Sequence, residues 1–150
     1  MSQSLARNLV HLIFSTKNRQ PLLTAAVRPD LHSYMGGILR HWESPAILIN
    51  SVADHIHILF CLSKNHALKK VVEEVKKSSS KWIKTKGPGL ENFFWQAGYG
   101  AFSVSQSNVP TVKRYIENQE AHHRKVGFQD EFRAFLRKYE IEYDELYVWD

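Results

Sequence analysis

Apolar residues recur along the chain with two periods, and each change of period marks a change of element. Arg7 to Ser15, R-N-L-V-H-L-I-F-S, is short and almost unbroken in its apolar character, as a central strand is. His11 within it reads as a packed core histidine. From Thr24 to Trp42 the period lengthens: Val27, Leu31, Tyr34, Ile38 and Trp42 fall on one helical face, and Pro29 starts the helix near Arg28 or bends it there. Pro45 to Val52 is a second strand. Ser51 to Leu62, S-V-A-D-H-I-H-I-L-F-C-L, carries the third, and the few residues around Ala53-Asp54 imply an antiparallel hairpin.

Leu68, Val71, Val72, Val75, Ser79, Trp82 and Ile83 follow helical spacing again, until Gly87-Pro88-Gly89 breaks the pattern. Phe93 to Ser105 reads as a loop and a fourth strand, with Gly98 and Gly100 marking tight backbone. A helix over about 109–125 follows, capped by Ser107 or Asn108 with Pro110 in its first turn. A last helix spans about 129–139. Strand, helix, strand, strand, helix, strand is the split βαβ order of an α+β, ferredoxin-like fold. It predicts a four-stranded antiparallel sheet with two helices on one face and additional C-terminal helices. We expect one domain over 1–150: a core to about 106, the added helices over about 107–139, and a tail over 140–150.

Charge changes this picture. Residues 1–139 hold all 20 Lys and Arg but only 10 of the 15 Asp and Glu. The tail therefore carries a net −5 and the body +10. A basic body with an acidic tail suggests a polyanionic partner, nucleic acid first. The 66–86 helix concentrates it, with Lys69, Lys70, Lys76, Lys77, Lys81 and Lys84 outside its apolar stripe. Such a face is equally the solvated side of an ordinary helix. One cysteine, Cys61, excludes an internal disulfide framework and a Cys-based zinc site. With no leader-like start and no long apolar run, a cytoplasmic protein with no membrane segment is expected.

The candidate chemistry begins at His55 and His57. One residue apart in a strand, they point the same way, about 6.6 Å apart, while Ile56, Ile58, Phe60 and Leu62 fill the other face. Two imidazoles on one side of an apolar strand form a metal-binding edge, or two strand histidines with ordinary hydrogen bonds. The spacing alone does not choose. Asp54 points away from His55 if the strand begins that early, so no carboxylate is evident beside the pair. In the late helix, V-P-T-V-K-R-Y-I-E-N-Q-E-A-H-H-R-K, Tyr115 and Gln119 are four apart and share a face. Tyr115 could equally be a core residue with its hydroxyl at the rim, and Gln119 solvent-facing. His122 and His123 read as surface residues.

The His-hydrophobe-His strand followed by Tyr-x-x-x-Gln resembles the single-tyrosine HUH transposases of bacterial insertion sequences, above all their REP-associated branch. D-H-I-H-I-L, F-F-W-Q-A-G-Y-G-A-F-S-V-S and R-Y-I-E-N-Q-E-A-H-H-R-K carry the likeness, which extends over essentially the whole chain. The resemblance implies a ferredoxin-like domain, usually a homodimer, with the tyrosine helix of one subunit often completing the other's site. By position it makes His55, His57 and Gln119 metal ligands and Tyr115 the nucleophile. It implies cleavage and rejoining of single-stranded DNA at hairpin-flanked ends through a 5′-phosphotyrosine, the protein being nucleoid-associated when on DNA. With an amide and phosphate oxygens in the shell, Mg²⁺ or Mn²⁺ suits better than zinc. DNA contacts would fall to the lysine face, Lys17, Arg19, Lys113 and Arg114, with Trp95 or Tyr99 as stacking aromatics.

Two other readings share the pattern. The same strand order serves non-catalytic single-stranded or structured nucleic-acid-binding proteins, although those stack bases on sheet aromatics where this chain offers histidines. A hydrolase using the histidines and a water would need a carboxylate base.

Overall fold

A computed structural model describes residues 2–150. Four strands, β1 (Asn8–Ser15), β2 (Ala46–Ser51), β3 (His55–Leu62) and β4 (Gly100–Val104), form an antiparallel sheet in the order β2-β3-β1-β4. That is the ferredoxin-like order expected from the sequence. The helices α1 (Arg28–His41) and α2 (Leu68–Ile83) cover one face. Period-two alternation fixes which side chains they meet: Val10, Leu12 and Phe14 of β1 and Ile56, Ile58 and Phe60 of β3 bury against Leu31, Met35, Val71 and Val75.

The register then decides what the other face carries. Ile13 pairs with His57 and Ser15 with His55, so the odd positions of both strands share that face. Three later helices, α3 (Val109–Glu117), α4 (Gln119–His123) and α5 (Phe128–Lys138), carry its covering residues. Ile116 meets Leu9, Leu59 and Val104, while Phe128, Phe132 and Leu136 meet Ile13 and Phe102. Gly100 is required by this packing. A Cβ there would lie 2.6 Å from the Phe132 ring, so only glycine lets α5 approach β4. The tail turns back to set Trp149 beside Phe128 and Phe132.

Phe93 to Ser105 forms a loop and then the fourth strand, as expected, with the strand beginning at Gly100. Phe93 and Trp95 enter the core beneath α2, and Gln96 closes on β1 through Ser15, its N–H donating to Ser15 O at 2.9 Å. The late helix is not continuous from 109 to 125 but breaks at Asn118. Asn50 of β2 catches the carbonyls at the end of α3, its Nδ2 donating to Ile116 O at 2.7 Å. Helix ends leave such groups without intrahelical partners, and this side chain supplies one. Among the described residues, no helix is long and apolar enough to cross a membrane.

Candidate metal centre and tyrosine

His55 and His57 are fully buried on the face covered by α3–α5, each held by a different second partner. Asp54 lies in the turn before β3, where its Oδ1 accepts from His55 Nδ1 at 2.7 Å. The strand starts only at His55, so Asp54 is free of the pleat and places beside the pair a carboxylate that was not evident in the sequence. His11 pairs with His57, Nε2 to Nδ1, at 2.8 Å. It is buried, as expected, but its ring nitrogen belongs to the site rather than to the apolar core.

Glu131 of α5 joins these groups. Its Oε1 accepts from His57 Nε2 at 2.9 Å, and its Oε2 lies 3.1 Å from His123 Nε2 and 3.2 Å from His122 Nε2. His55 Nε2 is 3.5 Å from Oε1 and 2.9 Å from His123 Nε2. The nearest donor atoms of His55, His57, His123 and Glu131 all lie within 4.8 Å of one another. His123 is therefore not the surface residue the sequence suggested. The break at Asn118 starts a new short helix that ends in the His122-His123 pair.

Electrostatics follow from this convergence. Burial raises the Glu131 carboxyl, but the bonds from His123, His55 and His57 overturn that and hold it far below the usual carboxylate range. Burial lowers His57 to about 4 despite the pull of Glu131. For His55, burial also acts downward, yet the bonds to Asp54 and Glu131 leave it raised. A buried anion ringed by imidazoles is chemistry suited to a cation.

Tyr115 of α3 reaches the same carboxylate. Its hydroxyl donates to Glu131 Oε2 and lies 3.3 Å from His122 Nε2. Burial, then the Glu131 charge, push the phenol well above its ordinary value. Gln119 is fully buried, its Nε2 donating to Tyr115 O at 3.2 Å. Its Oε1 is buried with no hydrogen-bond partner. An orphaned buried oxygen is costly, and a cation is one group that satisfies it. The donor set thus fits a divalent ion by chemistry and by this unspent acceptor.

A family model described as "Transposase IS200 like" matches residues 4–119, from before β1 through the tyrosine to Gln119. The chain belongs to this family. It is 25% identical over 114 residues to the ISDra2 transposase TnpA of Deinococcus radiodurans, covering 73% of this chain and 81% of that one. Its fold is similar to a crystal structure described as a transposase from the same organism (TM-score 0.62, 23% identity, 79% of this chain and 98% of that chain). It is also similar to a REP-associated tyrosine transposase solved bound to a REP hairpin (TM-score 0.61, 18% identity, 84% and 76%). Within the IS200-like match lie His55, His57, Tyr115 and Gln119. His122, His123 and Glu131 lie beyond it.

In this IS200-like transposase the late residues had no local signal to announce them. Glu131 sits on an ordinary amphipathic helix, and only the bulk of Phe128 and Phe132 on either side hinted that its face was buried. The basic residues divide in two. Lys17, Lys69, Lys70, Lys77, Lys81 and Arg114 are exposed, and Arg19 and Lys113 are half-buried. Lys76 is turned inward, donating to the carbonyls of Gln96, Ala97 and Gly98 at 2.6, 3.0 and 2.7 Å, and burial lowers it to about 8. Lys84 donates to Phe93 O at 2.5 Å. Both lysines therefore hold the 93–98 segment against α2. Trp95 is buried with Nε1 donating to Ser79 Oγ, so it is no surface aromatic; Tyr99 is exposed.

Proposed function

We propose that this protein is a metal-dependent single-tyrosine transposase that cleaves and rejoins single-stranded DNA at hairpin-flanked ends. The observation that carries the reading is the bond from the Tyr115 hydroxyl to Glu131, the carboxylate on which His57 and His123 converge. A nucleophile and a candidate cation site meet in one chain. His55, His57, His123 and Glu131 would hold the ion, with the free oxygen of Gln119 as a further ligand. Three imidazoles among the donors favour Mn²⁺ over Mg²⁺. Such a cation would offset the Glu131 charge and polarise and orient the scissile phosphate.

Tyr115 oxygen attacks the phosphorus. The Tyr115 O–P bond forms as the P–O3′ bond breaks, leaving a 5′-phosphotyrosine and a 3′-oxygen that takes up a proton. The phenolic proton has two acceptors within reach. Glu131 is already engaged by His57 and His123 and would be engaged by the cation, whereas His122 lies 3.3 Å from the hydroxyl with its ring partly open to solvent. His122 is the group we assign to carry it off. Because the phosphodiester energy is stored in the covalent link, attack by another 3′-hydroxyl reverses the step and joins new ends. Joining two ends calls for two such sites, which a homodimer supplies. The hairpin bound to the REP-associated relative supports a structured single strand as the DNA partner.

The test is a labelled hairpin oligonucleotide with a single-stranded cleavage segment, incubated with Mn²⁺. A covalent protein–DNA adduct is expected, and Tyr115→Phe should abolish it while DNA binding persists. Cleavage with no adduct, indifferent to Tyr115→Phe, would show a water-using hydrolase instead. Binding without cleavage would leave a non-catalytic nucleic-acid-binding protein.

A further inference from the structure

Away from the tyrosine, Phe94 is an exposed ring at the wall of a groove. It is 54% exposed, directly between two buried aromatic neighbours, Phe93 and Trp95. Lys84 Nζ lies 4.2 Å and Lys17 Nζ 5.7 Å from the Phe94 ring centroid. Lys84 is fixed there by its bonds to Ser80 Oγ and Phe93 O. The ring opens onto a groove of about 500 Å³ between α2 and the 94–99 segment. Lys69, Lys77 and Lys81 line it against one carboxylate, Glu73, and Tyr99 lies at the same wall.

An apolar ring held open in water, beside a fixed ammonium group and a second exposed one, is poorly explained by packing. A basic groove with aromatic platforms suits a single strand, because phosphates meet the ammonium groups while any base can stack. The backbone also links this groove to the site. Thr16 N–H donates to Asp54 O at 2.8 Å, and Lys17 N–H donates to Phe94 O at 2.8 Å. Asp54 orients His55, so the chain runs from the candidate cation group over the sheet end to Phe94 in a few bonded steps.

We propose that Phe94 is a base-stacking platform for single-stranded DNA leading away from the tyrosine site, with Lys17, Lys77 and Lys81 tracking its backbone. The proposal rests on the transposase reading above and names where its unpaired strand travels.

The experiment compares two forms of one fluorescent hairpin oligonucleotide, carrying either a thymidine tail or an abasic tail of equal length. Binding is read by anisotropy for the wild type, Phe94→Ala and Phe94→Trp. Losing one stacked base should weaken the thymidine-tailed form roughly five- to 150-fold in Phe94→Ala. Phe94→Trp should restore it, and the abasic form should not distinguish the three proteins. Because the ring is exposed, the melting temperature should not move. Equal affinities for the thymidine tail, or equal losses on both tails, overturn the platform. If the wild type still forms its adduct in that case, the platform alone falls; if it neither binds nor forms adduct, the transposase reading falls with it.

Discussion

His57 Nε2 and Glu131 Oε1, 74 residues apart in sequence, lie 2.9 Å from each other and bind β3 to α5. The contact makes the last helix part of the site rather than an appendage to the sheet. Glu131→Gln keeps the shape but turns an acceptor-only group into one that presents N–H to imidazole donors. We expect at least a tenfold loss of Mn²⁺ affinity by calorimetry, in line with removal of a charged ligand. A stability loss of about 1–3 kcal/mol should accompany it in urea unfolding, because buried donors lose their partner. Unchanged Mn²⁺ affinity would remove Glu131 from the cation group.

Asp54 favours the His55 tautomer that would suit a cation ligand. An acceptor at Nδ1 keeps the proton on that nitrogen and leaves Nε2 free to take a cation. Asp54→Asn can present its amide N–H instead, which moves the proton to Nε2. The expected result is a 10- to 100-fold weaker Mn²⁺ affinity, roughly the range for such outer partners. Folding should be nearly unaffected, since Asp54 is partly exposed. Calorimetry on the variant beside its melting curve separates the two effects.

These partners also show what the sequence could and could not disclose. The sheet was legible because alternation in β1 and β3 is strict and the βαβ order admits few topologies. His55 and His57 were legible because strand geometry alone sets both on one face. Glu131 and His123 were not, since their position depends on how α4 and α5 fold back over the sheet, which no local period encodes. The break at Asn118 was hidden for the same reason: the side chain that receives the end of α3 is Asn50, 66 residues earlier. Trp95, expected as a stacking aromatic, is buried while Phe94 beside it is exposed, because a one-residue offset in an irregular segment decides which ring turns inward.

Asn50 accordingly offers a test of positioning. Its amide closes the end of α3 two turns from the start of the helix that carries Tyr115, and its hydrogen bonds are with the Ile116 and Glu117 carbonyls and the Ser51 N–H rather than with the phenol or Glu131. Asn50→Ala should cost about 0.5–1.5 kcal/mol in unfolding, the worth of an ordinary hydrogen bond. The rate of adduct formation should fall further than stability does, roughly tenfold or more, because small displacements of a nucleophile are expensive. Mn²⁺ affinity should hold, as His55, His57 and Glu131 remain on their own elements. A rate equal to wild type would show that α3 is positioned without this contact.

His32, on the far side of the sheet, isolates one contribution to acid sensitivity. Its Nε2 pairs with Ser51 Oγ at 2.7 Å, joining α1 to β2. Burial, then the nearby Arg28 charge, lower its pKa from 6.5 to about 4. Above 6.5 the ring is neutral whether the chain is folded or not, and its contribution to stability is complete. Between 6.5 and about 4 the unfolded chain takes up a proton that the folded chain refuses. Stability therefore falls as pH drops through that window. By about pH 5 the loss is at most about 2 kcal/mol, at 1.36 kcal/mol per pH unit, and solvent screening of the partly exposed ring reduces it. Other histidines also titrate, so the measurement is a difference. Urea midpoints of wild type and His32→Gln should converge on acidification from about pH 7.5 to about pH 5, the wild type losing more. Parallel losses in the two proteins would show that His32 protonates in place.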